Sequence, residues 1–315
     1  MILGIASFFN GFNEGVEFKG GRSYTVKFAQ VPNQEQVRDA LKTEFNEAPI
    51  IKTVNSNEQL NITTSYEINN PGKDVDEKVE QKLYQGLQKF LPSGITLQQF
   101  EQDYVQSFQT VLPTISKDLK AGATKATIIA MIVICLYIFI RFRDWRYSVG
   151  TIVALLHDVF VTLIVFSFFK NIVPFPLEID QHFIAAILTV IGFSMNDTVI
   201  VYDRIREDVK LMHTTDKTAI INKAINDTLS RTVMTSLTVF ITILILFIFG
   251  GETVRGFAFA MLIGVITGTY SSIFVAAPIL IDFARNKPLG RKSDYDTIER
   301  KPQQKLQTKQ KANLN

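Results

Sequence analysis

The chain has 315 residues, 47% of them hydrophobic, and a formal charge of +3. A charge so near balance gives no reason to expect a nucleic-acid partner, and the lone cysteine, Cys135, cannot form an intramolecular disulfide. The length accommodates one or two domains.

The chain opens on MILGIASFF, nine apolar residues followed by polar sequence. As a helix these cover about 14 Å, roughly half a bilayer core, and they lack the basic flank and longer apolar core of a secretory signal. Residues 1–10 are therefore read as the outer end of a truncated first transmembrane helix, the sequence being a fragment. GVEFKGG (15–21) reads as a strand and turn leading into a soluble domain.

That domain, 11–120, has ordinary polar composition. SYTVKF (23–28) alternates as a strand does, and NQEQVRDALKTEF (33–45) places Val37, Leu41 and Phe45 on one helical face. IIKTV (50–54) and QLNITTSYEI (59–68) predict two further strands, and Asp74 through Phe90 a second helix ending before Pro92-Ser93-Gly94. Strand, helix, two strands, helix is the order of a split βαβ, ferredoxin-like α+β sandwich with its helices on one face. No His or Cys occurs in this region and its acids are scattered among lysines, so no catalytic set is expected.

Hydropathy rises sharply after residue 125. Five apolar stretches follow, at 121–140, 148–169, 182–201, 232–250 and 256–281, each near the ~20 residues that span a bilayer. Soluble cores seldom string such segments together with so few charges, so 121–284 is read as an α-helical polytopic membrane bundle. Loop charges set its orientation. RFRDWRY (141–147) holds three basic residues, the 202–231 connection six and the tail after Asp282 nine, against one each in 170–181 and 250–255. The rich loops belong on the cytoplasmic side, which places 11–120 outside. The basic, polar tail 285–315 is expected to be disordered and to lie near anionic lipid.

Small residues recur every fourth position in the last span, at Gly256, Ala260, Gly264, Gly268, Ser272 and Ala276, so a neighbouring helix can approach closely. The second span repeats the device at Gly150, Ala154, Asp158 and Thr162. Charges inside such helices are costly, so they usually face the bundle interior and carry a function. Asp158 follows His157 in mid-span; a structural hydrogen bond to a neighbouring helix is as good a reading as a functional one. Asp197 interrupts IGFSMNDTVIVYDRIRE (191–207), where Thr189, Gly192 and Asn196 share a face beside it. Arg231 opens the fourth span at the depth where Asp197 closes its own, so the two could pair, and a proton on the aspartate would break the pair. One charge crossing ~100 mV supplies ~2.3 kcal/mol, enough to bias a two-state helix packing. No second His or Cys stands at ligand spacing from His157, so no metal, and no other cofactor, is expected.

GVEFKGG, ALLHDV (154–159), IGFSMNDTVIVYDRIRE, NDTLSRTVMTSLT (226–238) and FAFAMLIGVITGTYSSIFVAAP (257–278) together resemble the SecD/SecF protein-export family of the resistance-nodulation-division superfamily, over about residues 10–284. The resemblance is to its smaller half. It implies six transmembrane helices with an outer domain between the first two, and a SecD partner, separate or fused upstream. It further implies that the proton-motive force helps preproteins leave the SecYEG channel after the SecA-driven step, with YajC and YidC as further partners, in the bacterial inner membrane. By motif position Asp197 resembles the aspartate of the family's proton path and Arg231 the arginine of its LSRT motif. Asp158, Asn196 and Thr198 lie in motifs of less definite role. Glu17 stands where the family often has Asp. Two rival readings remain: a proton-coupled efflux transporter of the same superfamily, which would usually have two six-helix halves, and a passive scaffold whose Asp197 and Arg231 form a fixed pair. An enzyme is not expected, because no nucleophile–base set or nucleotide-binding loop occurs.

Overall fold

A computed structural model describes residues 11–30, 32–54, 59–70, 72–170, 172–173, 175, 177–212 and 216–284. The expected helix remnant at 1–10 and the tail 285–315 lie outside the described residues. The chain forms two compact units. One comprises residues up to 127 with 163–186 and 243–260; the other comprises 128–162, 187–242 and the remainder from 261.

The first unit contains the sheet. GVEFKGG is not a strand and turn: Val16–Lys19 makes a single helical turn (α1), stopped at Gly20, whose φ of +78° suits a residue without Cβ. Strand β1, Gly21–Lys27, follows directly, then helix α2, Gln34–Phe45, capped by the Asn33 side chain accepting from the Glu35 N–H. Next come β2, Ile50–Val54, β3, Gln59–Thr64, and α3, Lys73–Leu87. A fourth strand, β4, Val105–Val111, was not foreseen. Its residues VQSFQTV are mostly exposed, so its sequence lacks a clean apolar alternation. All pairings are antiparallel and the strand order is β2-β3-β1-β4. Tyr24, Val26, Leu60 and Ile62 on one face bury against Val37, Leu41 and Phe45 of α2 and Val79, Leu83 and Leu87 of α3. Buried Arg22 is held by Asp76 at 2.7 Å and by the Tyr66 carbonyl at 3.0 Å. Burying this cation therefore leaves no unmet charge.

Among the described residues, five helices are long and apolar enough to cross a membrane. They are α4, Pro113–Phe142; α5, Trp145–Phe169; α6, Gln181–Leu211; α7, Lys217–Phe249; and α8, Glu252–Ser271, which a wide turn at Ser272–Ala276 joins to α9, Ala277–Phe283. The wide turn precedes Pro278, which has no N–H to give the preceding turn, so the ladder widens there instead of breaking. The apolar runs lie where hydropathy put them, but the helices are longer. The 202–231 connection is mostly helix, as α6 continues to Leu211 and α7 begins at Lys217.

In the second unit Phe142, Tyr147 and Tyr202 form an aromatic core, Phe142 stacked on Tyr147 at 4.8 Å and Tyr147 edge-on to Tyr202 at 4.9 Å. The Tyr202 hydroxyl donates to the Ala276 carbonyl at 3.2 Å. The small-residue stripe does what its spacing suggests, since a Cβ on Gly264 would overlap the Val190 side chain of α6.

Candidate functional site

Three carboxylates lie fully buried in the second unit: Asp208 near the end of α6 and, inside the apolar runs, Asp158 on α5 and Asp197 on α6. The surroundings of the last two differ. Asp158 Oδ2 accepts from Ser194 Oγ of α6 at 2.6 Å and from Ser271 Oγ of α8 at 2.8 Å, and Oδ1 lies 3.1 Å from His157 Nδ1. Three helices are thus tied together by one carboxylate. Hydrogen bonds to a charged acceptor contribute about 1.5–3 kcal/mol each, so this set offsets much of the cost of burying the charge. The stripe Gly150, Ala154, Asp158, Thr162 explains the access: every member is buried, and Thr162 turns its hydroxyl back to the Asp158 carbonyl at 2.8 Å.

Asp197 is poorly supplied by comparison. Its Oδ2 has one long contact, 3.4 Å, from Ser236 Oγ of α7, and its Oδ1 has no partner. Ser236 has a better acceptor in the Thr232 carbonyl at 2.8 Å and itself accepts from Thr269 Oγ1 of α8 at 2.6 Å. One turn away, the buried Thr232 hydroxyl oxygen also lacks a partner. A carboxylate oxygen and a hydroxyl, both without a partner, therefore sit buried in this interior. Such groups are rare in folded proteins and call for an explanation.

The residues flanking Asp197 were only partly foreseen. Thr198 is buried, its hydroxyl donating to the Ser194 carbonyl at 3.0 Å. Thr189, Gly192 and Asn196 do share a face, but it is an exposed face of α6 and not a lining for Asp197. Nor does the structure bring Arg231 to Asp197. Arg231 is exposed, and its carbonyl accepts from Thr235 Oγ1 at 2.9 Å. The reason is rotational: Thr232 and Ser236, four residues apart, are the inward row of α7, and Arg231 points about 100° away from Thr232.

The partners that matter most, Ser271, Ser236, Thr269 and Thr232, were missed. Hydroxyl residues in membrane helices usually bond the carbonyl a turn back, as Thr235, Thr238 and Thr242 do here, so composition does not mark the special ones. The visible signal was the one-per-turn row of small residues, and Ser271 lies beside it.

At the ends of α6 and α7, Arg204 and Lys223 both pair with Asp227, and buried Asp208 lies 3.3 Å from Lys223 and 3.5 Å from Arg204. Arg141 reaches Asp203 at 2.9 Å. Much of the basic charge of this connection is therefore compensated.

Comparison with known proteins supplies the context. Residues 95–286 match the family model of the protein export membrane protein SecD/SecF C-terminal region, and residues 5–30 match that of the SecD/SecF GG motif. The protein translocase subunit SecF of Rhodothermus marinus is 40% identical over 273 residues, 86% of this chain and 83% of that protein. SecF of Haemophilus influenzae is 36% identical over 90% of this chain and 81% of its own length. Among solved structures, SecDF from Thermus thermophilus, described as a translocon-associated membrane protein, superposes with a TM-score of 0.73 at 32% identity. That match covers 90% of this chain, which spans only 37% of the SecDF chain.

Proposed function

The chain belongs to the SecD/SecF family of protein-export membrane proteins, and on that premise we propose that it is a proton-coupled SecF subunit of the Sec translocase. As such it is a membrane protein of the protein-transport machinery. In this reading it works beside a SecD half and uses the proton-motive force to draw preproteins out of SecYEG after the SecA-driven step. YajC and YidC are further partners, and the chain is not itself an enzyme. The outer sheet unit is ferredoxin-like and faces away from the cytoplasm in the bacterial inner membrane, and the basic loops face the cytoplasm.

The observation that carries this reading is the unsatisfied Asp197. Keeping an ionised carboxylate in a membrane interior costs several kcal/mol, and here one long hydrogen bond offsets little of it. Taking up a proton removes the charge; releasing it restores the charge. A position where both states are imperfectly served suits a proton carrier better than a structural strut. Asp158, fully hydrogen-bonded, is the strut.

Arg231 fits the same reading in a different place. Among the described residues its side chain has no partner, and Met234, Leu237, Ile241 and Ile245 of α7 are exposed as well. On α6 the exposed row Ala185, Thr189, Gly192, Asn196 is small or polar where lipid would favour bulk. Small and polar rows are where membrane helices pack. We assign these faces to the SecD half, which would provide Arg231 with an acidic partner. A passive scaffold with a fixed Asp197–Arg231 pair has no such pair to rest on.

The test compares native protein with Asp197→Asn, each assembled with SecD in membrane vesicles. Preprotein transport is followed after the ATP for SecA is exhausted, with and without a proton gradient. The gradient is expected to complete transport with native protein only; equal help to both at equal abundance would remove Asp197 from the proton path.

A further inference from the structure

The first unit holds a second polar site, outside the membrane spans. Glu178, in the connection between α5 and α6, forms an ion pair with Lys52 of β2, and both side chains are largely buried. The same connection is held by backbone bonds to the GG-motif segment. Gly15 N–H donates to the Ile179 carbonyl at 2.9 Å and Ile179 N–H to the Asn13 carbonyl at 2.8 Å, a short parallel bridge. Gly15 has to be glycine for this approach, since a Cβ there would come within 2.7 Å of the Asp180 Cβ. Asp180 in turn caps α6, its Oδ1 accepting from the Phe183 N–H at 2.7 Å. The segment 177–180 is therefore fixed on one side to β2 and to residues 13–15 before α1, and on the other to the start of the helix that carries Asp197.

A cavity of about 260 Å³ adjoins the pair. It has room for roughly eight waters at ~30 Å³ each. Its floor is the polar face of the sheet, where Asn61 Nδ2 donates to Ser23 Oγ at 2.8 Å and to Thr25 Oγ1 at 3.2 Å, beside Thr63 and Gln109. Water can thus reach both partners of the ion pair. We propose that the Lys52–Glu178 pair is a latch, closed when Glu178 is ionised and opened by acid on the outer side, that fastens the connection entering α6 to strand β2.

The charged groups facing Glu178 are Lys52 on β2, Asp180 in the same connection and Glu17 on α1; Glu14 and Lys19 line a small pocket with the pair, and His182, in the first turn of α6, faces Asp180. Burial pushes the Glu178 carboxyl above the ordinary range, Lys52 pulls it back, and Asp180 and Glu17 push it further up. Asp180 is raised as well, by burial first and against the hydrogen bond from Phe183. A group with a raised value takes its proton at milder acidity than an exposed carboxylate. The proton binds a Glu178 oxygen, the pair loses its attraction, and Lys52 keeps its charge and turns to cavity water. The latch stands independently of proton coupling at Asp197, because its readout involves no transport.

The experiment measures amide hydrogen exchange of the chain with its SecD half in lipid nanodiscs at pH 7.5 and 5.5, corrected for intrinsic exchange rates. Protection of the Gly15 and Ile179 amides is expected to fall about tenfold at the lower pH in native protein. The ladder amides of Tyr24 and Ile62 should hold. Glu178→Gln should show the low protection at both pH values, and Lys52→Met, which keeps the acid, should do the same if Glu178→Gln folds poorly. Unchanged native protection between the two pH values, or a pH-dependent fall that survives in either folded variant, would overturn the latch.

Discussion

Asp158 and Asp197 are equally buried, and Ser194, a partner of the first, lies three residues from the second on α6, about 4.5 Å along the axis. One carboxylate accepts from hydroxyls of two neighbouring helices and lies 3.1 Å from the adjacent histidine nitrogen; the other has a single long contact and an oxygen without a partner. Burial alone therefore does not separate a structural charge from a working one. In the proposed reading the partner count does: neighbouring helices give Asp158 the hydroxyls that would hold a charge in place and give Asp197 only one long contact.

The comparison breaks most visibly at its structural end. Asp158→Ala removes the acceptor of two buried hydroxyls, and should cost about 3 kcal/mol, read as a loss of folded protein and a lower Tm in detergent. Asp197→Asn, made in the same background, should leave stability within about 1 kcal/mol of native, because little hydrogen bonding is lost. If the two variants are equally damaged, the partner count means nothing.

Gly264→Val is next in size. The added side chain meets Val190 of α6, and overpacking of about 1–3 kcal/mol should separate the helices that also carry Ser194 and Ser271. Folded yield should drop, although no charge has changed. Tyr202→Phe, which loses one hydrogen bond to the Ala276 carbonyl, should cost only about 1 kcal/mol by the same melt.

The smallest effect lies in the sheet unit and sharpens the contrast with a titrating group outside the membrane. Burial, with Glu101, Asp76 and Glu77 nearby, pushes the Glu80 carboxyl up to about 7. Because the folded value exceeds the unfolded one, Glu80 contributes stability that is fully present below the ordinary carboxylate range and is lost as pH rises through about 7. The melting temperature of native protein relative to Glu80→Gln should therefore fall between pH 5 and pH 8. A difference that does not change with pH would contradict the sign.

Much of this was legible in the sequence. Five apolar runs and two isolated aspartates stand out because a bilayer tolerates little else, so hydropathy and charge suffice to find them. Strand β4 was hidden because an exposed edge strand such as Val105–Val111 needs no apolar alternation. The polar turns of α6 and α7 within the 202–231 connection were hidden because polar helix resembles a loop on a hydropathy scale. The hardest feature was rotation about a helix axis. Arg231 and Thr232 are neighbours in the chain, yet one is exposed and the other buried, and only the packing of α7 decides which. The GG segment was misread for a similar reason: the need for Gly15 comes from Asp180, distant in sequence.

The most direct measurement sets the two aspartates against each other in one assay. Vesicles carrying SecD with native chain, Asp158→Asn or Asp197→Asn are compared for gradient-dependent preprotein completion, each normalised to its own folded amount. The account predicts that Asp158→Asn lowers the folded amount but keeps the gradient dependence per folded molecule, while Asp197→Asn keeps its abundance and loses that dependence. Gradient dependence lost in Asp158→Asn and retained in Asp197→Asn would contradict it.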